Sequence, residues 1–265
     1  MIYRLIVLIL SYFLFNSCGE FRYSPYELVI DNTNYNAKNL NLILQKSVRE
    51  SAKTDIFKIV VLSDTHDYYD GLEKQISYIN KHRTEYDFVI ITGDMSNVGL
   101  VEEFEATKKR LKKLTLPFIT TVGNHDLLID GRKIYKRVFG EDTYAFEYKN
   151  TKFILYNNNN WESPSNIPNI PWLEDQLIKN TNPNLIVLSH VAPNDKDRYS
   201  NDEIEYLKSI INFYNVNYYI NGHNHNPGAS TFGNAVQLTA GASSKEVILE
   251  VKVTNFGIEH AFINL

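Results

Sequence analysis

Ligand-type side chains recur at the ends of short apolar runs in this chain. Asp64 and His66 directly follow one such run, and His223 and His225 follow another in the same way. The set spans five runs and comprises Asp64, His66, Asp94, Asn124, His190, His223 and His225. Mixed carboxylate, amide and imidazole ligands suit Mn, Fe or Zn, and the only cysteine, Cys18, lies far away in the sequence. The pattern predicts a metal centre.

The apolar runs belong to elements that could bring these residues together. In the first half, short apolar runs alternate with helical patterns, and in the second half a hairpin precedes further alternation. The predicted strands are 58–62, 88–91, 117–122, 144–148, 152–156, 185–189, 218–221, 235–239 and 246–253. The predicted helices are 71–83, 101–114, 172–179 and 202–214. This order favours an α/β fold, either as one mixed sheet or as two sheets face to face with helices outside.

The seven candidate ligands share one position relative to the predicted strands. In open α/β sheets, sites form beyond the carboxyl ends of the strands, which is where all seven residues fall. Gly93, Gly123 and Gly222 each precede a candidate ligand, where the backbone must turn close to a crowded site. Five of the seven histidines occupy strand-end positions, whereas His82 and His260 do not and are interpreted as structural.

The length of the chain and its net charge indicate which classes of protein are compatible with the sequence. With 265 residues and 43% hydrophobic residues, the chain is long enough for one large core. A net charge of -4 offers no electrostatic footprint for a nucleic-acid backbone, so a nucleic-acid partner is not expected. The basic stretch 108–113 lies beside acidic residues of the same predicted helix and is interpreted as a solvated face.

The N-terminus has the features of an export signal. Arg4 precedes an apolar run at 6–15 that is too short for a membrane span, so residues 1–18 are predicted to be a signal peptide. Ser17 before Cys18 resembles a bacterial lipoprotein processing site, which predicts export and a lipid anchor on the periplasmic or cell-surface side. The alternative is a cleaved signal with an incidental cysteine. Residues 19–54 are predicted to be a polar linker or extension, with an edge strand at 27–30 and a short helix at 40–48.

The motifs together resemble the calcineurin-like metallophosphoesterases. They stand in the family's order and spacing: Asp64-x-His66, Gly93-Asp94, Gly123-Asn124-His125-Asp126, His190 and Gly222-His223-x-His225. The resemblance covers residues 55–265, which we predict to be one catalytic domain. It implies a four-layer αββα sandwich of two mixed sheets with flanking helices.

The resemblance also implies roles for individual residues. Asp64, His66, Asp94 and His225 would hold one ion, while Asp94, Asn124, His190 and His223 would hold the other, with Asp94 as the bridge. Two divalent ions about 3.5–4 Å apart can clamp a phosphoryl group and generate hydroxide near neutral pH. His125 would protonate the leaving group or stabilise developing charge, and Asp126 would orient its imidazole.

Departures from related motif patterns favour one branch of the family. His66 stands where purple acid phosphatases have a non-ligand, and the Asp-Arg-Gly signature of Ser/Thr protein phosphatases is absent after Asp94. The motif set looks most like bacterial cyclic-nucleotide and glycerophosphodiester phosphodiesterases, which implies a small phosphoester substrate. The alternatives are a binding module on the same fold without catalysis, and a nuclease. Trp161 could stack on a base or pack against the domain.

Overall fold

The computed structural model describes residues 24–28, 30–50, 54–163 and 170–265. In these ranges the strands are β1 (Phe57–Leu62), β2 (Phe88–Ile91), β3 (Phe118–Thr120), β4 (Tyr144–Tyr148), β5 (Thr151–Leu155), β6 (Asn184–Leu188), β7 (Tyr218–Asn221), β8 (Gly228–Phe232), β9 (Ala235–Thr239), β10 (Val247–Thr254) and β11 (Gly257–Asn264). The helices are α1 (Tyr35–Glu50), α2 (Tyr69–Lys81), α3 (Val101–Leu111), α4 (Gly131–Val138), α5 (Ile170–Ile178) and α6 (Asn201–Phe213). Short 3₁₀ turns lie at His125–Leu127 and Ser243–Lys245.

Two mixed sheets form the centre of the fold. The first has the order β11-β10-β1-β2-β3, and the second has the order β4-β5-β6-β7-β9-β8. β1, β2 and β3 are parallel to one another, as are β5, β6, β7 and β9. β10 runs antiparallel to β1, and β4 antiparallel to β5. Each sheet therefore contributes a block of parallel strands with a common carboxyl edge.

Alternating side chains along the strands divide the core into layers. In β1, Ile59 and Val61 belong to a cluster shared with the second sheet, while Val60 and Leu62 face a cluster with α2, α3 and α4. In β6, Leu185 and Val187 lie in a third cluster with α5 and α6. The order is helices, sheet, sheet, helices, which confirms the predicted four-layer sandwich.

The segment before β1 departs from the sequence expectation. Glu27, Leu28 and Ile30 lie outside any strand, so the predicted edge strand is wrong. The backbone carbonyl of Ile30 instead accepts a hydrogen bond from Arg137 Nε at 2.5 Å, which ties this segment to the end of α4. The short helix expected at 40–48 is longer, because α1 starts at Tyr35, and Ile43 is buried in the cluster between the sheets.

Other differences are local. Three elements were not predicted from the sequence, namely α4, β8 and β11, because each has a half-exposed or strongly polar pattern. In the basic stretch of α3, Lys108 is buried, and Arg110 lies over the Tyr69 ring at 3.9 Å. The predicted solvated face is therefore confirmed for Lys109, Lys112 and Lys113, which are exposed, and not for Lys108.

The predicted signal peptide and Cys18 lie outside the described residues. Across the ranges that the structure does describe, no helix combines the length and apolar character needed to cross a membrane.

Candidate metal centre

The structure places all seven candidate ligands at the carboxyl edges of the two parallel blocks. Asp64 and His66 follow β1, Asp94 follows β2, and Asn124 follows β3. From the second sheet, His190 follows β6, and His223 and His225 follow β7. Backbone hydrogen bonds join neighbouring ligand loops, from Asp64 N to Gly93 O at 3.1 Å and from His66 N to Asp94 O at 2.9 Å.

Most of these residues adopt a backbone conformation that side chains usually avoid. Five have positive φ: Asp64 (49°), His66 (40°), Asp94 (54°), His223 (68°) and His225 (59°). A non-glycine residue in a sparsely populated region costs about 1–3 kcal/mol, so such a cluster persists only where surrounding contacts enforce it. Gly93 has φ of 103°, and a Cβ there would lie 2.5 Å from Gly123 N. The loops that carry the candidate ligands are thus packed so closely that their backbone adopts conformations that ordinary turns avoid.

Asp64, His66 and His225 form the first group. One potential ligand atom from each lies within 4.8 Å of the others. His225 Nε2 is 3.4 Å from Asp64 Oδ1 and 3.3 Å from His66 Nε2. His66 Nε2 also lies 3.5 Å from Asp94 Oδ2, which places Asp94 beside this group.

Asp94, His190 and His223 form the second group, again with potential ligand atoms within 4.8 Å of one another. His190 Nε2 lies 3.0 Å from Asp94 Oδ2, and His223 Nδ1 lies 3.0 Å from Asn124 Oδ1. Since Asp94 borders both groups, the geometry has the form expected for a bridging carboxylate. The individual ligand roles stay a prediction.

The hydrogen bonds around two of the imidazoles show that their ring nitrogens are oriented as metal ligands would be. The Nδ1 atoms of His190 and His66 contact the backbone carbonyls of Thr92 (2.8 Å) and Ser96 (3.2 Å), so each donates its Nδ1 proton there. That leaves Nε2 directed at the carboxylates. His190 Nε2 is buried and has no hydrogen-bond partner among the described residues, because its short contact with Asp94 lacks hydrogen-bond geometry. An orphaned, oriented imidazole nitrogen of this kind fits a metal ligand.

The acidic and basic groups perturb one another strongly. Burial raises the pKa of Asp64 to about 6, although the nearby His190 acts in the opposite direction. Burial opposes the charged form of Asp94 as well, but His190 and His66 outweigh it and hold the pKa of Asp94 below its ordinary value. Burial would lower the pKa of His190, yet Asp94 raises it to about 9.

The pKa values of two further imidazoles, those of His223 and His66, are lowered. Burial and the nearby His190 lower the pKa of His223 to about 4, and burial lowers the pKa of His66. Both rings are therefore neutral near pH 7 and can act as metal ligands.

His125 and Asp126 are adjacent in sequence but have separate contacts, so the prediction that Asp126 orients the His125 ring is wrong. His125 Nδ1 contacts the carbonyl of Asn97 at 2.5 Å, and its ring lies 4.8 Å from the His66 ring. The Asp126 carboxylate instead accepts hydrogen bonds from Ser96 N (2.8 Å) and Gly123 N (3.0 Å). The 3₁₀ turn at this point separates the two side chains. Burial and the charge of Asp94 raise the pKa of Asp126 to about 7.

One side of the centre is open. The His225 side chain is 39% exposed and that of His223 is 22% exposed, whereas Asp64, Asp94 and His190 are buried. Sequence reasoning missed Asp195, whose Oδ2 lies 4.0 Å from His223 Nε2. It also missed the carbonyls of Thr92, Ser96 and Asn97, because any residue type can supply a backbone oxygen.

Comparison with known proteins shows that this chain is similar to phosphoesterases. Residues 57–227 match the calcineurin-like phosphoesterase family, and the predicted limits of 55–265 stay untested. The chain is 26% identical over 140 residues to a probable cyclic nucleotide phosphodiesterase of Xenorhabdus bovienii, covering 48% of this chain and 53% of that protein. It is 35% identical over 80 residues to a probable glycerophosphodiester phosphodiesterase of Arcobacter nitrofigilis, covering 26% of this chain and 29% of that protein.

A solved structure shows the same fold. Purple acid phosphatase PPD1 from yellow lupin (Lupinus luteus) superimposes with a TM-score of 0.64 at 12% identity, over 79% of this chain and 51% of the lupin chain. The matched segments thus span about half or less of the length of these proteins.

Proposed function

The chain belongs to the calcineurin-like phosphoesterase family, and from that premise we propose that it hydrolyses small phosphodiesters or phosphomonoesters with two divalent metal ions. The observation that carries the proposal is the pair of ligand groups, Asp64, His66 and His225 beside Asp94, His190 and His223, with Asp94 between them. Two bound divalent ions would neutralise charge on a phosphoryl group and lower the pKa of a coordinated water. The donor set suits Mn, Fe or Zn.

The protein's own residues bind, orient and transfer protons around that centre. His66 and His190 are fixed by the carbonyls that accept their Nδ1 protons, which holds each Nε2 toward Asp94. Asn124 contributes an amide oxygen beside His223. Substrate would approach over the exposed imidazoles of His223 and His225, since the other side of the centre is buried.

His125 is the proton donor of this proposal. Its Nδ1 proton is committed to the carbonyl of Asn97, so a proton given to the leaving oxygen comes from Nε2 of the doubly protonated ring. Its backbone N–H donates to Asp94 Oδ1 at 2.9 Å, which ties its position to the residue between the two groups.

The test of this function compares two substitutions of aspartate by asparagine. Asp94→Asn should lower the hydrolysis of bis(p-nitrophenyl) phosphate by more than about a hundredfold in the manganese-loaded protein, because even outer-shell partners of metal ligands are worth about 10–100-fold. Asp130→Asn, at an exposed surface pair with Lys133, serves as the matched control and should keep full activity. Full activity in Asp94→Asn would rule out the dinuclear mechanism. Metal binding without any hydrolysis would instead favour the non-catalytic binding module.

We also propose export with a lipid anchor at Cys18, supported by the charged residue and apolar run that precede it in the sequence. An exported enzyme would meet nucleotides, phospholipid-derived diesters and other environmental phosphoesters rather than cytoplasmic second messengers. In cells fed labelled palmitate, the label should enter the full-length protein and disappear in Cys18→Ser. Label that persists in Cys18→Ser would exclude this anchor.

A further inference from the structure

The loop after β5 is attached directly to two of the ligand-bearing strand ends. Asn159 Nδ2 donates to the carbonyl of Val122, two residues before Asn124, at 3.1 Å. Asn158 Oδ1 accepts a hydrogen bond from Val191 N, next to His190, at 3.1 Å. Both asparagines are buried, so the loop has a fixed position relative to the metal centre.

This loop carries an exposed tryptophan on a rigid support. Trp161 is 62% exposed, and the Arg198 guanidinium lies 4.4 Å from the centre of its ring system. Arg198 is held by both carboxylate oxygens of Glu162, at 2.9 and 2.8 Å, and its side chain is only 8% exposed. Its backbone carbonyl also accepts a hydrogen bond from Asn160 Nδ2.

Arg198 supports Trp161 from one side. Both contacts to Glu162 are made by Nη1, which fixes the guanidinium in place and offsets part of its charge. The guanidinium presents a flat surface to one face of Trp161. The indole is therefore held in place from one side while much of it stays in contact with solvent.

Arg198 is linked to His223, a member of the second ligand group, through a single intervening residue, Asp195. Arg198 N donates to the carbonyl of Asp195 at 3.3 Å, within a single turn of the chain. Asp195 Oδ2 lies 4.0 Å from Nε2 of His223, one of the two ligand imidazoles on the open side. Through Arg198 and Asp195, the support of Trp161 is therefore connected to the open side of the centre.

We propose that Trp161, backed by Arg198, is a stacking platform for a planar aromatic ring of the phosphoester, such as a nucleobase or an aryl group. The inference rests on the proposed function in one respect, since it takes the phosphate to lie at the metal centre. Trp161 is a specificity-determining residue in this proposal: it binds the ring and takes no part in bond cleavage. Stacking depends on the π-face alone, so different bases would be accepted.

Binding can be measured without any turnover. The chain has two tryptophans, so a Trp172→Phe background isolates the emission of Trp161. In the zinc-loaded protein, adenosine 5′-monophosphate should quench that emission and bind about tenfold more tightly than ribose 5-phosphate, which has the same sugar and phosphate without the base. Replacement of Trp161 by leucine, followed by calorimetry, should abolish this difference. Equal affinity for the two ligands, with no quenching, would overturn the proposal.

A kinetic measurement separates the platform from the catalytic machinery. Trp161→Leu should raise the KM for bis(p-nitrophenyl) phosphate about tenfold with a smaller change in kcat, and Trp161→Phe should restore most of the loss. Hydrolysis of glycerophosphocholine, which has no aromatic ring, should stay unchanged. Equal losses on both diesters would mean that Trp161 only supports the loop, which would refute the platform. Selective binding of adenosine 5′-monophosphate in a protein that hydrolyses no ester would uphold the platform and refute the proposed function.

Discussion

His125 and Asp126 follow the same strand end, yet their side chains contact different parts of the site. The His125 ring is oriented by the carbonyl of Asn97, whereas the Asp126 carboxylate joins the loops that contain Ser96 and Gly123. The first contact orients a proton donor, and the second holds together two loops on which candidate ligands lie. Substitutions at the two positions should therefore have kinetically distinct effects.

His125→Ala should steepen the dependence of rate on the leaving group. Loss of a general acid costs about 10²–10⁴-fold when the leaving group needs a proton, and much less when the leaving group is a stable anion such as p-nitrophenolate. Asp126→Asn should slow good and poor leaving groups by the same factor, since it disturbs the position of the centre. The measurement is kcat/KM across a series of aryl and alkyl phosphoesters for both variants. A leaving-group dependence in His125→Ala as shallow as that of the unmodified protein would exclude His125 as the acid.

Helix α1 is bound to the edge of the first sheet by asparagine side chains. Asn36 Nδ2 donates to the carbonyls of Thr120 (3.0 Å) and Glu141 (3.1 Å), and Asn36 Oδ1 accepts from Thr120 N at 2.8 Å. Asn39 Nδ2 donates to the carbonyl of Phe118 at 2.6 Å. Since β3 is the edge strand that leads to Asn124, α1 covers an edge adjoining the metal centre.

Asn36→Ala should lower the free energy of unfolding by about 2–3 kcal/mol, because it leaves buried backbone groups without their partner. Asn41→Ala, at an exposed position of the same helix, is the matched control and should change it by no more than about 0.5 kcal/mol. Urea unfolding of the three proteins measures both effects. If the two variants were equally stable, α1 would be an appendage rather than a part of the folded domain.

These same asparagines explain where sequence reasoning succeeded and where it failed. Ligand positions were accessible because apolar strands such as β1 and β2 have unambiguous patterns and are followed at once by ligand-type residues. In α1, Asn36 and Asn39 interrupt the apolar period, so the segment resembles a polar spacer. A sequence does not distinguish an asparagine that pairs with a strand edge from one in solvent. Nor does it reveal that Asp126 turns away from His125, which depends on a 3₁₀ turn.

The buried charges couple the stability of the folded protein to pH. The raised pKa values of Asp64 and Asp126 lower stability as pH rises from about 4 to about 7. The lowered pKa of His223 raises stability between about pH 4 and 6.5, and the lowered pKa of His66 acts in the same direction as that of His223. Above about pH 7, His190 is the group among these whose protonation still changes, because its pKa is about 9 in the folded protein against an ordinary value of 6.5.

The metal-free protein should therefore lose stability as pH rises from 6.5 to 9. A raised histidine pKa stabilises fully below the unfolded value and ceases to do so above the folded value, and 2.5 units correspond to about 3 kcal/mol. Metal binding requires the neutral imidazole, so the ions should bind more tightly as pH rises and offset this loss. Urea unfolding at pH 6.5 and pH 9, with chelator or with zinc, measures both trends. His190→Gln should remove the decline in the chelated protein, and a chelated protein that gained stability over this range would contradict the assignment of a charged His190 beside Asp94.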